Sequence, residues 1–378
     1  MNFACRKALR PIACISPHSF NGYQEPDRIS EKPTKGLSLR NHKNTKTMDI
    51  KEVIGIDVGK LKNEALIHSN QKALEFDNTP VGIKQMEKWV LNNTGCQKQQ
   101  MMFAFEHTGL YSYPLSMFLT ENQYLYIVIP GLELKRSMGI ARGKNDKIDA
   151  KRIALYTYEK REKLKPFEMP TEEIIQIKRL LSLREKLVKQ CAGYKGTLVE
   201  YKHFLKKKDN KMLFDVHEKM IVELTKQIEK VEKQLEDIVK HNGQLKQMYE
   251  LITSINGVGP QTALFIIAFT NGFTQFKNWR KFASYCGIAP FPNTSGISIR
   301  GRTKVSNLAN KKIKSLLDLC AKTSIQHNHE MKLYYKKRIA EGKSKMSTIN
   351  IIRNKLLSRI FAVVQRETPY VNILGYAA

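Results

Sequence analysis

Between residues 52 and 76 the chain sets three short strand-like runs in succession: Val53-Ile-Gly-Ile-Asp-Val, Glu64-Ala-Leu-Ile-His and Lys72-Ala-Leu-Glu-Phe. Only turn residues separate them, and each is too short for a helix. Three such runs must pair with one another before any helix can cover them, so the chain begins its patterned part as a β-sheet. The period then changes. Residues 81–91 carry apolar side chains at helical spacing, 101–105 read as a strand, 112–119 as a helix, 124–129 as a strand and 146–158 as a helix.

The order βββαβαβα predicts a mixed sheet flanked by helices, that of an RNase H-like domain, over residues 48–165. From Glu172 to Tyr249 glycine is scarce, and Ile221, Leu224, Ile228, Val231, Leu235 and Ile238 alternate at spacings of three and four between Lys and Glu. Residues 166–250 are therefore expected to form a long helical hairpin or coiled coil that turns at 206–210; its apolar seam suits packing within the chain or against a second copy. Residues 307–325 and 331–364 are amphipathic and basic, so a last domain, 251–378, is expected to be mainly helical. The fold class is thus α/β plus all-α. Residues 1–47 show no periodicity and read as a disordered leader or a mis-assigned start before Met48.

The 64 Lys and Arg against 35 Asp and Glu leave a formal charge of +29. Residues 251–378 hold 20 of the cations and only 4 of the acids, which marks this end as the electrostatic footprint for a polyanion. Six scattered cysteines without C-x-x-C spacing argue against a disulfide framework and a structural zinc site, and fit a reducing cytoplasm. The longest strongly apolar stretch, 263–269, is far short of a membrane span, so no membrane partner is expected.

Two constellations carry chemistry. Asp57 ends the first strand and Glu106 follows the strand 101–105, so neighbouring strands would bring both carboxylates to one sheet edge. Asp146 and Asp149 lie three apart on one helix face. Four such acids repel, whereas two Mg²⁺ ions about 3.5–4 Å apart would absorb the charge and clamp both oxygens of a phosphodiester displacement. Singly, each acid has a plainer explanation as a helix cap, a first-turn residue or a turn former; jointly they favour a metal site. A phosphate loop of an actin-like ATPase at Gly55-Ile-Asp57-Val-Gly59-Lys60 would need a second such loop downstream, and the sequence has none.

The second constellation is Ser295-Gly296-Ile-Ser298-Ile-Arg300-Gly-Arg302, followed by Lys304. Ser295 offers a hydroxyl, with Ser298 the second candidate on the same loop. Arg300, Arg302 and Lys304 suit the non-bridging oxygens of a phosphate, and Gly296 permits close approach. No neighbouring His or Lys supports a hydrolase triad. An Arg-rich loop that only binds DNA backbone, with Ser295 a turn residue, accounts for the same residues. Gly257-Val-Gly259 ahead of an apolar helix suits either a phosphate contact or a tight turn introducing a buried helix.

Taken together, Ile54-Gly-Ile-Asp57-Val-Gly-Lys60, Glu106-His-Thr-Gly-Leu-Tyr111, Lys144-Asn-Asp146-Lys-Ile-Asp149-Ala150, Gly257-Val-Gly-Pro260, Cys286-Gly-Ile-Ala-Pro290 and the serine loop resemble the DEDD-type transposases of bacterial insertion sequences, the IS110 group. The resemblance covers residues 50–365. It implies a RuvC-like domain whose Asp57, Glu106, Asp146 and Asp149 bind Mg²⁺, and a C-terminal transposase domain with Ser295 as nucleophile. It further implies donor and target DNA and a non-coding bridge RNA as partners, and a homo-oligomer, dimer or tetramer, whose site combines two protomers. The setting it implies is the bacterial cytoplasm, at the nucleoid. A Holliday-junction-type endonuclease using a metal-activated water is the alternative.

Overall fold

The computed structural model describes residues 49–137, 145–276, 278–295 and 299–371. The leader 1–47, Lys144, Gly296 and Ser298 lie outside them. Contacts divide the chain into two compact units, one ending at Met169 and the other beginning at Pro170.

The first unit runs β1 (Glu52–Val58), β2 (Lys62–Ile67), β3 (Ala73–Asp77), α1 (Pro80–Thr94), β4 (Met101–Glu106), α2 (Tyr113–Glu121), β5 (Leu125–Ile129), α3 (Gly131–Ser137) and α4 (Asp146–Lys160). The sheet order is β3-β2-β1-β4-β5. The three opening runs form an antiparallel meander, and β4 and β5 add in parallel to β1 through helical crossovers. Both faces of the central strands are covered, which explains their near-continuous apolar sequence. Ile54, Ile56, Phe103 and Phe105 pack with Ile83 and Met86 of α1 and Leu115 of α2. On the other face Val53, Met102, Ala104 and Ile129 pack with Ile153 and Tyr156 of α4. Helix α1 starts where Thr79 accepts a hydrogen bond from the Gly82 N–H and Pro80 takes the first turn, and it ends at Gly95 with φ of 61°.

The second unit holds α5 (Glu172–Phe204), α6 (Lys211–His241), α7 (Gly243–Thr253), α8 (Pro260–Thr270), α9 (Trp279–Tyr285), β6 (Pro290–Ser295), β7 (Ile299–Val305), α10 (Lys311–His327), α11 (His329–Ala340) and α12 (Lys345–Arg366). Helices α5 and α6 lie side by side, joined through residues 205–210 and tied by the Arg184–Glu232 ion pair, Nε to Oε1 2.7 Å. Of the predicted seam, Leu224, Val231 and Leu235 are buried within the single chain, while Ile221, Ile228 and Ile238 are half-buried. Helix α8 is apolar on nearly every side and buried accordingly.

A two-stranded hairpin, β6–β7, stands where the sequence reads as a loop in a helical domain. Prolines at 290 and 292 and a glycine at 301 hid it, because such residues are confined to isolated or edge strands. Among the described residues Cys96, Cys191, Cys286 and Cys320 are free thiols, and no helix is long and apolar enough to cross a membrane.

Candidate active site

The parallel register pairs Ile56 with Phe105, so Asp57 and Glu106, each one residue further on, stand level at the ends of adjacent strands. Alternation puts both on the sheet face that Val53, Gly55, Met102 and Ala104 share, the face covered by α4. Helix α4 can sit close because Gly55 faces Ala150 and Ala154 without a Cβ between them. Its first turn, with Asp146 and Asp149, belongs to the helix that lies over β1 and β2. Asn145 caps it by accepting from the Lys147 N–H at 3.1 Å, and the helix dipole favours both acids there. Asp149 is held by Arg152, Oδ1 to Nη1 2.8 Å.

The Glu106 carboxyl lies against Gly131 at the start of α3, in space that any side chain at 131 would fill. Loops after β1 and β4 are tied together by Asn78, whose Nδ2 donates to the carbonyls of Gly59 (3.0 Å) and Tyr111 (2.9 Å). His107 accepts from the Gly109 N–H on Nδ1 (3.3 Å), a loop-shaping role.

A further carboxylate escaped sequence reasoning. Glu64 of β2 pairs with Asp57 on one side and with Glu75 of β3 on the other, so it faces the same way as both. Burial, together with Glu75 and Asp146, raises its pKa, against the opposing pull of Lys147. Period-2 alternation put Glu64 on one face or the other, but only the register says which; that register was not readable from the runs alone.

The candidate acids are all carboxylates, oxygen donors of the kind a hard divalent cation takes. The set is not closed: among the described residues no three His, Cys, Asp or Glu side chains stand near enough to hold one ion together.

In the second unit Ser295 ends β6, exposed, and pairs with Ile299 across the hairpin. The register passes from Phe291↔Lys304 to Asn293↔Gly301, so β7 carries one extra residue, a bulge, at 302–303. Simple alternation along β7 groups 300, 302 and 304 on one face. The bulge separates them: Lys304 shares the face of Phe291, Asn293 and Ser295, whereas position 300 pairs with Thr294 on the other. Lys304 still sits four residues down the ribbon from Ser295, about 13 Å at ~3.3 Å per residue. Arg302 is exposed within the bulge. Gly257, with φ of 93°, sits against Ser324 of α10, whose hydroxyl donates to the Asn256 carbonyl at 2.9 Å. The turn thereby docks α8 onto α10, while Gly259, the cap of α8, has open space beside it.

Comparison with known proteins bears on both units. A family model described as "Transposase", of the DEDD type found in IS110 elements, matches residues 54–201. The model of the "Transposase IS116/IS110/IS902 family" matches residues 249–336. The chain is 24% identical over 330 residues to the pilin gene-inverting proteins of Moraxella bovis and Moraxella lacunata, covering 85% of this chain and 98% of each relative. It is 28% identical over 120 residues to an insertion element IS110 protein of Streptomyces coelicolor, 32% of this chain and 29% of that one. With both family models matched in order, and the acids and the serine hairpin falling inside them, the chain belongs to the IS110 family of transposases, enzymes that cut and rejoin DNA.

Proposed function

We propose that the chain is the recombinase of an insertion sequence, in which an RNase H-like, RuvC-type domain and a serine-bearing domain cut and rejoin DNA strands. The observation that carries this reading is that Asp57 and Glu106 each follow the last register pair, Ile56↔Phe105, of adjacent parallel strands, beneath the helix that begins with Asp146 and Asp149. Those four carboxylates would hold Mg²⁺, two ions per site, which when bound supplies charge neutralisation for a phosphodiester and its leaving oxygen. Gly131 and Asn78 set the position of Glu106 and of the loops around it.

Ser295 is the nucleophile of this reading. Its Oγ attacks a backbone phosphorus, a phosphoserine diester forms, and one deoxyribose hydroxyl leaves; attack by another strand's hydroxyl then restores the serine and joins the strands. Arg300, Arg302 and Lys304 hold phosphate along the hairpin, and Gly257, Gly259, Gly296 and Ser298 are further contacts to the nucleic acid in this reading. A bridge RNA selects donor and target by base pairing, so the protein's charge reads backbone and shape. The active form is a homo-oligomer, and domains 48–165, 166–250 and 251–378 divide the labour between carboxylates, helical hairpin and serine.

A Holliday-junction-type endonuclease is the second reading, favoured by the fact that all four acids lie in one unit. Cleavage of a duplex spanning the element's end tests the role of the acids in both readings: Asp57→Asn is expected to abolish cleavage with binding intact. An undiminished Asp57→Asn enzyme would contradict both catalytic readings.

A further inference from the structure

At the start of α10, just after β7 in the chain, a pocket is lined by Asn307, Lys311, Lys314, Ser315, Asp318 and Arg353, among others. Arg353 comes from α12 and is only 6% exposed. Its Nη2 is paired with Asp318 and its Nη1 donates to Asn350 at 3.4 Å, but its Nε is buried without a partner. A buried guanidinium N–H left without an acceptor costs free energy that an arriving anion would return.

Two further observations point the same way. The first turn of α10 contains no acid and carries Lys311, Lys312 and Lys314. Cations at a helix N-terminus oppose the dipole, the reverse of the ordinary preference. Lys312 has its own partner in Glu185 at 3.3 Å, whereas Lys311 and Lys314 line the pocket. Burial and the facing Arg353 lower the Lys314 pKa, so two cations meet across the pocket. The single acid in the lining, Asp318, is already engaged by Arg353 and by Lys322 at 2.9 Å. The pocket is thus a cationic cup lined by residues of the first turns of α10 and by Arg353, a lining that suits a tetrahedral oxyanion.

We propose that this pocket holds one backbone phosphate of the DNA duplex being recombined. Ser306 in its lining directly follows β7, the strand paired with the one that ends in Ser295. A phosphate fixed there fixes the duplex relative to the hairpin, which makes Lys311, Lys314 and Arg353 positioning residues for the strand that Ser295 attacks. The inference rests on the DNA-recombinase reading above.

The test uses the full-length protein, the variant Lys311→Gln/Lys314→Gln, inorganic phosphate, a labelled 30-base-pair duplex and a labelled RNA hairpin. The Arg353–Asp318 pair is left intact, and the variant is expected to be as stable as the parent in chloride, since it loses two cations that oppose the dipole. In phosphate at matched ionic strength the parent's Tm should rise by about 2–4 °C and the variant's should not. Duplex affinity should fall about tenfold in the variant, with the slope of log K against log salt reduced by about 1. Phosphate stabilisation without a change in the duplex slope, a slope change without phosphate stabilisation, or a loss confined to the RNA probe would each overturn the proposal. A parent protein that binds no duplex at any salt would instead bring down the recombinase reading.

Discussion

Gly55 lies against the backbone of Ala150 and Ala154, so a methyl group at this position would collide with α4. That contact sets how closely the helix bearing Asp146 and Asp149 approaches the strand bearing Asp57. Gly55→Ala should therefore act on stability and site together: a loss of about 1–3 kcal/mol in urea unfolding, and cleavage reduced beyond what the unfolded fraction explains. Unchanged stability and cleavage would show that α4 has room to move.

The Glu106 carboxyl and Gly131 have the same relationship one strand further along. Gly131→Ala should displace the carboxyl and lower cleavage at least about tenfold at fixed Mg²⁺, with partial recovery as Mg²⁺ is raised. A titration of initial rate against Mg²⁺ reads this directly, and an unshifted curve would remove Glu106 from the metal-holding set.

Glu64 stands between Asp57 and Glu75 in register, and its raised pKa has a definite sign in the stability. An acid whose folded pKa exceeds its unfolded value favours the fold while protonated and loses that contribution as pH rises through the folded value. In Mg²⁺-free protein Glu64→Gln should therefore raise Tm at pH 7, by about 1–3 °C given its partial exposure, with the gain fading as pH falls towards the ordinary glutamate range. A Tm difference independent of pH between 4 and 7 would contradict the register-based account.

Mixing tests the oligomeric site. Asp57→Asn and Ser295→Ala proteins, each inactive alone, should together recover part of the strand exchange if carboxylates of one protomer serve the serine of another. Native mass spectrometry of the mixture on DNA would confirm mixed assemblies, and silent mixtures despite such assemblies would place each complete site within one protomer.

Much of this architecture was legible because its elements announce themselves by period. The runs at 53–58, 64–68 and 72–76 became β1, β2 and β3, and the Gly-poor stretch from 172 became α5 and α6. Asp57 and Glu106 could be placed together because both end apolar runs that a parallel sheet brings level. What stayed hidden depends on register: the face of Glu64, the bulge that moves Lys304 away from position 300, and the hydrogen bonds by which Asn78 joins two loops. Arg353 was hidden for a different reason, since an arginine on an amphipathic helix reads as solvated until the neighbouring helix that buries it is known.

In the proposed mechanism the Ser295 hydroxyl becomes linked to DNA while the carboxylates act on the same phosphodiester. Incubating the full-length protein with Mg²⁺ and a labelled duplex from the element's end, then denaturing it in detergent, measures the covalent adduct directly. An adduct is expected in the parent and in Ser298→Ala, and its loss is expected in Ser295→Ala with duplex binding retained. Strand exchange undiminished in Ser295→Ala would contradict it and leave water as the nucleophile.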